Sequence, residues 1–460
     1  MHDELLASLR SRLGDGGLLD RAQAAERAAG IWSAEPIRAL ALARPRTTED
    51  VAFVMQHCAA HGVSVVTHGG LTGLVHGTDS GEEQLVLSLE LMRSIEHIDP
   101  VQRTATVQAG VTLQALQDAL VDHDLAFPLD LGARGTATLG GNAATNAGGN
   151  RVLRYGMMRD MILGLEVVLA DGSVISSMNT LIKNNSGYDL KQLFIGAEGT
   201  LGIITRLVLR LRELPASSSM ALVAAERFDG VTSLLKHMDH ALSGSLSAFE
   251  VMWNDFYRLV TSEPAASRPP VAQDAPFYVL LEAQGADAEL DGQRFQAALE
   301  GAFERGFISD AALALSGAEC QRLWAIRDDV EQTFRFGMPV VFDISLPIAA
   351  MERYVDGVRV TLRDAFADCH LWVFGHLGDG NLHLVVQTQS GDATAHRQRI
   401  EEIVYGPLQP IGGAISAEHG IGLEKKPYLG LSRSPAEIAL MQRLKDALDP
   451  QHLLNPGKVL

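Results

Sequence analysis

Cysteine is scarce. Cys58, Cys320 and Cys369 are the only three in 460 residues, an odd and scattered set that excludes a disulfide framework and suits a reducing compartment; all three are expected as small buried apolar residues. Positive charge is scarce too, with 38 lysines and arginines against 56 acids and a formal net charge of −18. That sign repels phosphate backbones and anionic membrane surfaces, so nucleic acid is excluded as a partner. No apolar run approaches the roughly 18 residues a spanning helix requires. Residues 1–17 interleave acids, bases and leucines instead of setting a basic cap before an apolar run, so no secretory signal shows and a cytoplasmic protein is expected. Internal repeats and low-complexity segments are missing. So are the G-x-G-x-x-G order and the G-x-x-x-x-G-K-[ST] loop, which disfavours nicotinamide-type and ATP-type sites.

What the chain does have is an ordinary globular balance, 47% hydrophobic and 20% charged, at a length that exceeds what one core organises. Two packed domains are therefore expected. Residues 1–45 read as helix with polar punctuation, and from Arg46 to about Pro215 apolar runs alternate with helical stretches in a mixed α/β pattern. Thr47, Thr48, Glu49 and Asp50 offer an N-cap and early acids for a helix, and residues 63–67 read as a short buried strand entering glycines. Beyond Pro215, longer helical segments (291–305, 351–366) alternate with strands such as 277–282, a separate α+β layer reaching about Gly422. Residues 434–460 read as a helix stopped at Asp449-Pro450, then a turn at Asn455-Pro456-Gly457.

Two glycine loops carry the first chemical signal. In Gly69-Gly70-Leu71-Thr72-Gly73 the missing Cβ atoms let backbone N–H groups approach an anion, although alone this is equally a hairpin turn. Residues 140–149 then pack four glycines and three small polar side chains into ten positions, a backbone suited to close contact with a flat polar ligand.

Together with Pro128-Leu129-Asp130-Leu131-Gly132, Arg154-Tyr155-Gly156, Asn185-Ser186-Gly187-Tyr188-Asp189-Leu190 and the run from Gly196 to Thr205, these segments resemble the flavoproteins of the vanillyl-alcohol oxidase and cresol methylhydroxylase fold, specifically the FAD-linked D-2-hydroxyacid dehydrogenases, over nearly the whole chain. The resemblance implies an α+β protein: a two-part FAD-binding domain at 1–215, an α+β substrate- and metal-binding domain with an antiparallel sheet at 216–422, and a segment at 423–460 returning to the FAD domain. It implies FAD held by Gly69, Gly70, Leu71, Thr72, Gly73, Pro128, Gly141, Asn142, Thr145, Gly148, Gly149, Tyr155, Gly156, Glu198, Gly199, Ile203, Ile204 and Asn455. The first loop would wrap the pyrophosphate and the second lie along the isoalloxazine. Relatives usually read proline-glutamine before the paired glycines and asparagine after them, where this chain has Thr67-His68 and Leu71. His68 and His76 are candidates for a covalent flavin link, but core or surface roles are expected for both, hence non-covalent FAD.

His376-Leu377-Gly378-Asp379-Gly380-Asn381-Leu382-His383 sets two imidazoles either side of a tight turn between apolar runs, so a hairpin would bring them to one side. Glu418-His419, among small residues, adds an acid-base pair. Two imidazoles and one carboxylate make an open divalent site, so His376, His383 and Glu418 are the expected metal ligands, for zinc, manganese or cobalt; the resemblance places a zinc-type ion on the same positions. Imidazole is the natural proton acceptor among side chains, so His419 is then the general base, with the exchange of roles between Glu418 and His419 as the competing assignment. A guanidinium suits a substrate carboxylate, and Arg327 in Leu323-Trp324-Ala325-Ile326-Arg327 matches the family's tryptophan-x-x-arginine segment; a surface salt-bridge arginine is the alternative.

The chemistry implied is oxidation of a D-2-hydroxy acid to the 2-keto acid, with hydride passing to flavin N5 and an electron-transfer flavoprotein or quinone pool as acceptor. The substrate is less defined. Glu331, Val341 and Val385 stand where hydroxyglutarate-oxidising relatives carry threonine, lysine and asparagine, which leaves a distal carboxylate without an anchor. In contrast, Phe342-Asp343-Ile344-Ser345-Leu346-Pro347 and Ser416-Ala417-Glu418-His419 resemble the hydroxyglutarate branch. D-2-hydroxyglutarate leads, with D-lactate or D-malate next; an oxidase and a non-catalytic flavin subunit are further alternatives, and a homodimer is open.

Overall fold

The computed structural model describes residues 2–30, 33–388 and 393–460. They form two compact units. The first comprises Met1–Gly149, Gly156–Leu214 and Glu418–Leu460, and the second Asn150–Tyr155 and Pro215–Ala417. Two exchanges separate these from the expected boundaries: a six-residue segment inside the first domain packs with the second, and the return to the first unit begins at Glu418 rather than after Gly422.

The first unit holds two main sheets. In one, the strands run in the order Leu18–Asp20, Ala41–Ala43, Leu85–Ser88, Val65–His68, the first pair antiparallel and the others parallel. Leu85, Val86, Leu87, Val65 and Val66 are buried on both faces, which is why these strands read as continuous apolar runs rather than alternations. The other sheet is antiparallel, in the order Val174–Ser177, Ile162–Val168, Ile203–Arg210, Thr104–Gln108, Ile95–Asp99. The helix Thr48–His61 starts where Thr47 accepts from the Asp50 N–H and ends at Gly62, whose φ of 64° is left-handed. It buries Val51, Val54, Met55 and Cys58, the spacing of one helical face.

Residues 1–45 are not mainly helical, as their composition suggested. Among the described residues of this stretch only His2–Leu13 and the short turn Arg21–Ala25 are helix, and the others before Thr48 include short strands. Ala41, Leu42 and Ala43 are drawn into the first sheet by parallel pairing with Leu85–Ser88, a non-local contact that overrides alanine's helical preference.

The second unit is a seven-stranded antiparallel sheet in the order Asp310–Leu313, Ser217–Ala225, Phe277–Gly285, Leu246–Trp253, His370–His376, Asn381–Gln387, Val340–Ser345. Phe256, Tyr257 and Val260 from the helix Asn254–Thr261, with Leu323 and Ile326 from Gly317–Asp328, pack on one face against Met252, Tyr278, Trp372, Phe374 and Val385. Among the cysteines only Cys58 is buried, its thiol pushed up to about 12 by desolvation; Cys320 and Cys369 are half-buried, and all three are free thiols.

Candidate active site

In the first unit the glycine loops line one cavity of about 380 Å³. The strand Val65–His68 delivers Gly69 and Gly70 against the segment that starts the helix Leu139–Thr145. There is no room for a side chain: a Cβ on Gly70 would lie 2.0 Å from the Thr136 carbonyl oxygen, and one on Gly69 2.7 Å from Thr138 Oγ1. Thr138 caps that helix by accepting from the Gly141 N–H. The far end of the chain closes the wall. Asn455 Oδ1 accepts from the Thr67 N–H at 3.0 Å while its Nδ2 donates to the Glu198 carbonyl at 2.6 Å. Buried Lys445 fastens this return by donating to Asp449 Oδ2 and the carbonyls of Thr200 and Leu454.

All the expected cofactor residues line the cavity except Pro128, Gly149, Tyr155 and Gly156. Tyr155 packs in the second unit, where its hydroxyl donates to Gln284 Oε1 at 2.9 Å. Gly149 and Gly156 answer backbone demands, with φ of 89° and 78° and no space for a Cβ beside the Asp130 carbonyl and the Asp160 carboxylate. The Gly149 N–H instead donates to Glu418 Oε1 at 2.5 Å. Glu418 and His419 themselves line the cavity, so both stand at its wall within this unit. Thr67 and Thr138 also line it; a threonine before and opposite paired glycines is too common in turns to have signalled this.

His68 and His76 do not line the cavity. His68 is buried, its Nε2 2.8 Å from the Thr78 carbonyl, and desolvation depresses its pKa to about 4. His76 is exposed, bridging Asp79 and Glu424. Glu198 is half-buried at the cavity wall; desolvation raises its carboxyl pKa, against the pull of N–H donors from Ile421 and Gly422.

In the second unit the two histidines flank the turn Leu377–Asp379, with Gly380 left-handed at φ 87°. Pairing of Phe374 with His383 puts the imidazole of His376, at the end of its own strand, beside that of His383, ring centroids 5.3 Å apart. Behind each lies a buried carboxylate. Glu250 Oε1 is 2.6 Å from His376 Nδ1, and Asp343 Oδ1 is 3.9 Å from His383 Nδ1. Asp343 is fully buried and also accepts from Asn381 Nδ2 and the Ala417 N–H. Burial alone would raise the Glu250 carboxyl, but His376 and Arg327 outweigh it and hold it below the usual range. Arg327 is thus neither at the surface nor alone: it is 4% exposed, donates from Nε to Glu250 Oε2 at 2.8 Å, and lies over the Phe374 ring. Glu250 and Asp343 were not read as functional from the sequence. Each is the one acid in a buried apolar strand, Leu246–Trp253 and Val340–Ser345, and that isolation was the available signal.

Comparison with known proteins decides the family. The description "FAD binding domain" matches residues 39–177 and "FAD linked oxidases, C-terminal domain" matches residues 214–459. The chain belongs to the FAD-linked oxidase family. A D-2-hydroxyglutarate dehydrogenase of Xanthomonas citri pv. viticola is 40% identical to this FAD-linked oxidase over 93% of this chain and 90% of the relative. The mitochondrial D-2-hydroxyglutarate dehydrogenase of Bos taurus is 39% identical over 91% of this chain and 76% of its own length. A mitochondrial protein of Schizosaccharomyces pombe, provisionally named a D-lactate dehydrogenase, is 37% identical over 90% of this chain and 80% of the relative. Solved p-cresol methylhydroxylase shares the fold with a TM-score of 0.77 at 15% identity, over 99% of this chain and 96% of that one. The fold of this FAD-linked oxidase is therefore that of the vanillyl-alcohol oxidase type.

The cavity fits the cofactor on its own features. Thr67 Oγ1 and Asn142 Nδ2 are buried in its wall without a hydrogen-bond partner, a cost of about 1–3 kcal/mol each unless a polar ligand meets them. The glycines whose absent side chains shape the cradle leave backbone in reach of that ligand. Among the described residues no helix is long and apolar enough to cross a membrane.

Proposed function

We propose that the protein oxidises a D-2-hydroxy acid, foremost D-2-hydroxyglutarate, to the 2-keto acid. The observation that carries the reading is the wall of the flavin cavity: Glu418 and His419 line it together with the glycine loops, so an acid-base pair stands where the cofactor binds. Non-covalent FAD, when bound, supplies the acceptor for two electrons and the C2 hydrogen. His419 takes the substrate hydroxyl proton as general base. His376, His383 and Glu418 hold a divalent ion, zinc first, which would acidify that hydroxyl. The second unit's chemistry suits this, because a carboxylate behind each imidazole orients the ring and leaves its other nitrogen to a cation. Chain continuity helps as well: Glu418 follows Ala417, whose N–H donates to Asp343 at 3.1 Å. Arg327, oriented by Glu250, offers its remaining N–H groups to the substrate carboxylate.

D-lactate or D-malate is the second reading. Val341 and Val385 are cross-strand partners and pack in an apolar cluster with Trp372 and Phe374, a poor surface for a distal carboxylate. The acceptor we assign is an electron-transfer flavoprotein or quinone pool and the compartment the cytoplasm, and a homodimer is the assembly to be tested. Anaerobic bleaching of the flavin absorbance tests the reading, using D-2-hydroxyglutarate, D-malate, D-lactate and their L-isomers with and without a chelator. Bleaching by one D-acid, abolished by the chelator and restored by zinc or manganese, is expected. A yellow protein that no hydroxy acid bleaches would refute the substrate class. Stoichiometric peroxide in air would make it an oxidase.

A further inference from the structure

Glu198 is an odd residue to find in a wall that faces an anionic dinucleotide. Its negative charge opposes a pyrophosphate, and each of its carboxylate oxygens already accepts a backbone N–H, Oε1 from Ile421 at 2.7 Å and Oε2 from Gly422 at 2.8 Å. Its backbone is left-handed, φ 52°, between Gly196 and Gly199 at 78° and 69°, a conformation that disfavours any residue with a Cβ. That conformation is held by the Glu198 N–H donating to the Ala144 carbonyl at 2.8 Å and by Asn455 Nδ2 donating to its own carbonyl at 2.6 Å. A side chain placed at such a cost is there for what it reaches. It reaches the loop that carries Glu418 and His419. Gly420, φ 85°, permits the approach, since a Cβ there would stand 2.7 Å from Glu198 Oε1. On the other side of His419, Glu418 is fixed by the Gly149 N–H at 2.5 Å.

We infer that Glu198 is a positioning residue, clamping residues 420–422 so that His419 is held between two anchors at the cavity wall, rather than a ligand of the cofactor. The inference rests on His419 being the base assigned above. The bridge is also a link between cofactor and base: the backbone of Glu198 is bonded to the glycine-rich helix through Ala144 and its side chain to the loop of His419, so cofactor loading would order that loop.

Amide hydrogen exchange of the FAD-loaded protein tests the clamp without turnover. In Glu198→Ala the Ile421 and Gly422 amides should exchange about 10- to 100-fold faster, the loss of two bonds to a charged acceptor, while peptides from 139–145 stay protected and the flavin absorbance per chain is retained. Glu198→Gln keeps one acceptor oxygen and should fall between. With D-2-hydroxyglutarate as probe, Glu198→Ala should lower kcat on the order of 10²-fold with KM little changed, and Glu198→Ala/His419→Ala should be no slower than His419→Ala alone. Unchanged exchange at 421 and 422 with loss of FAD would overturn the clamp and make Glu198 a cofactor ligand. Full turnover in His419→Ala would overturn the base assignment instead, and the exchange result would still judge the clamp. If Glu198→Ala does not fold, Gly420→Ala, which pushes the loop off the carboxylate from the other side, should raise exchange at the same two amides; unchanged exchange there would count against the clamp.

Discussion

The cavity wall of the first unit and the histidine face of the second are built by opposite means. The first is shaped by what is missing: Gly69, Gly70 and Gly140 each leave out a side chain that would collide with Thr138, Thr136 or Ala109, and the binding groups are mostly backbone. The second is shaped by what is added, a buried ionic run from Arg327 through Glu250 to His376 and a hydrogen-bonded one from the Asn381 amide through the Asp343 carboxylate toward His383. A backbone cradle fails when an atom is added, and a charge network fails when one is removed.

The largest effect should come from adding one. Gly70→Ala would drive its Cβ into the Thr136 carbonyl, a backbone atom that cannot swing aside, and should abolish flavin retention while costing several kcal/mol, on the order of 3; flavin absorbance of the purified variant and its thermal midpoint report both. Removing a member of the network comes next. Glu250→Ala leaves Arg327 and His376 buried without their carboxylate and should cost about 3–5 kcal/mol in chemical denaturation, with metal affinity down about 10- to 100-fold and FAD content per folded chain unchanged. Equal loss of flavin would break the distinction between the two regions.

A smaller effect follows from His68. Its folded pKa of about 4 lies below the unfolded histidine value of about 6.5, so the unfolded chain binds the proton first as pH falls. The stability from keeping it neutral is complete above about pH 6.5 and drains away toward pH 4. Roughly 2 kcal/mol should be lost between pH 7 and pH 5, and His68→Gln should flatten that limb in thermal melts. An unchanged limb would show that His68 charges without penalty. The smallest change is a gain: Leu71 adopts φ 59°, so Leu71→Asn, a residue that tolerates that region, should add about 0.5–1 kcal/mol in chemical denaturation.

The same contrast explains what could be read in advance. Glycine is chosen where nothing else fits, so Gly69-Gly70 and residues 140–149 announced the cradle, and Thr47 announced the start of a helix. The turn Gly378-Asp379-Gly380-Asn381 likewise gave away the hairpin that pairs the histidines. Partners that meet only through sheet order stayed hidden: nothing near Glu250 in the chain points to His376, 126 residues away, or to Arg327, 77 away. Arg327 was read for its charge, and its burial against Phe374 could not be. Tyr155 was grouped with its neighbours in the chain, whereas its hydroxyl is spent on Gln284. The strand Ala41–Ala43 was missed because an alanine-rich triplet carries no strand signal until the distant strand Leu85–Ser88 pairs with it.

The most direct test of the account is the stoichiometry of FAD and divalent metal in the wild-type protein and in His383→Ala, measured on the same folded samples. One flavin and one ion per chain are expected in the wild type, and a variant that keeps its flavin absorbance while losing the ion. A variant that retains the ion, or a wild-type protein that binds no ion while still turning over a D-2-hydroxy acid, would contradict it.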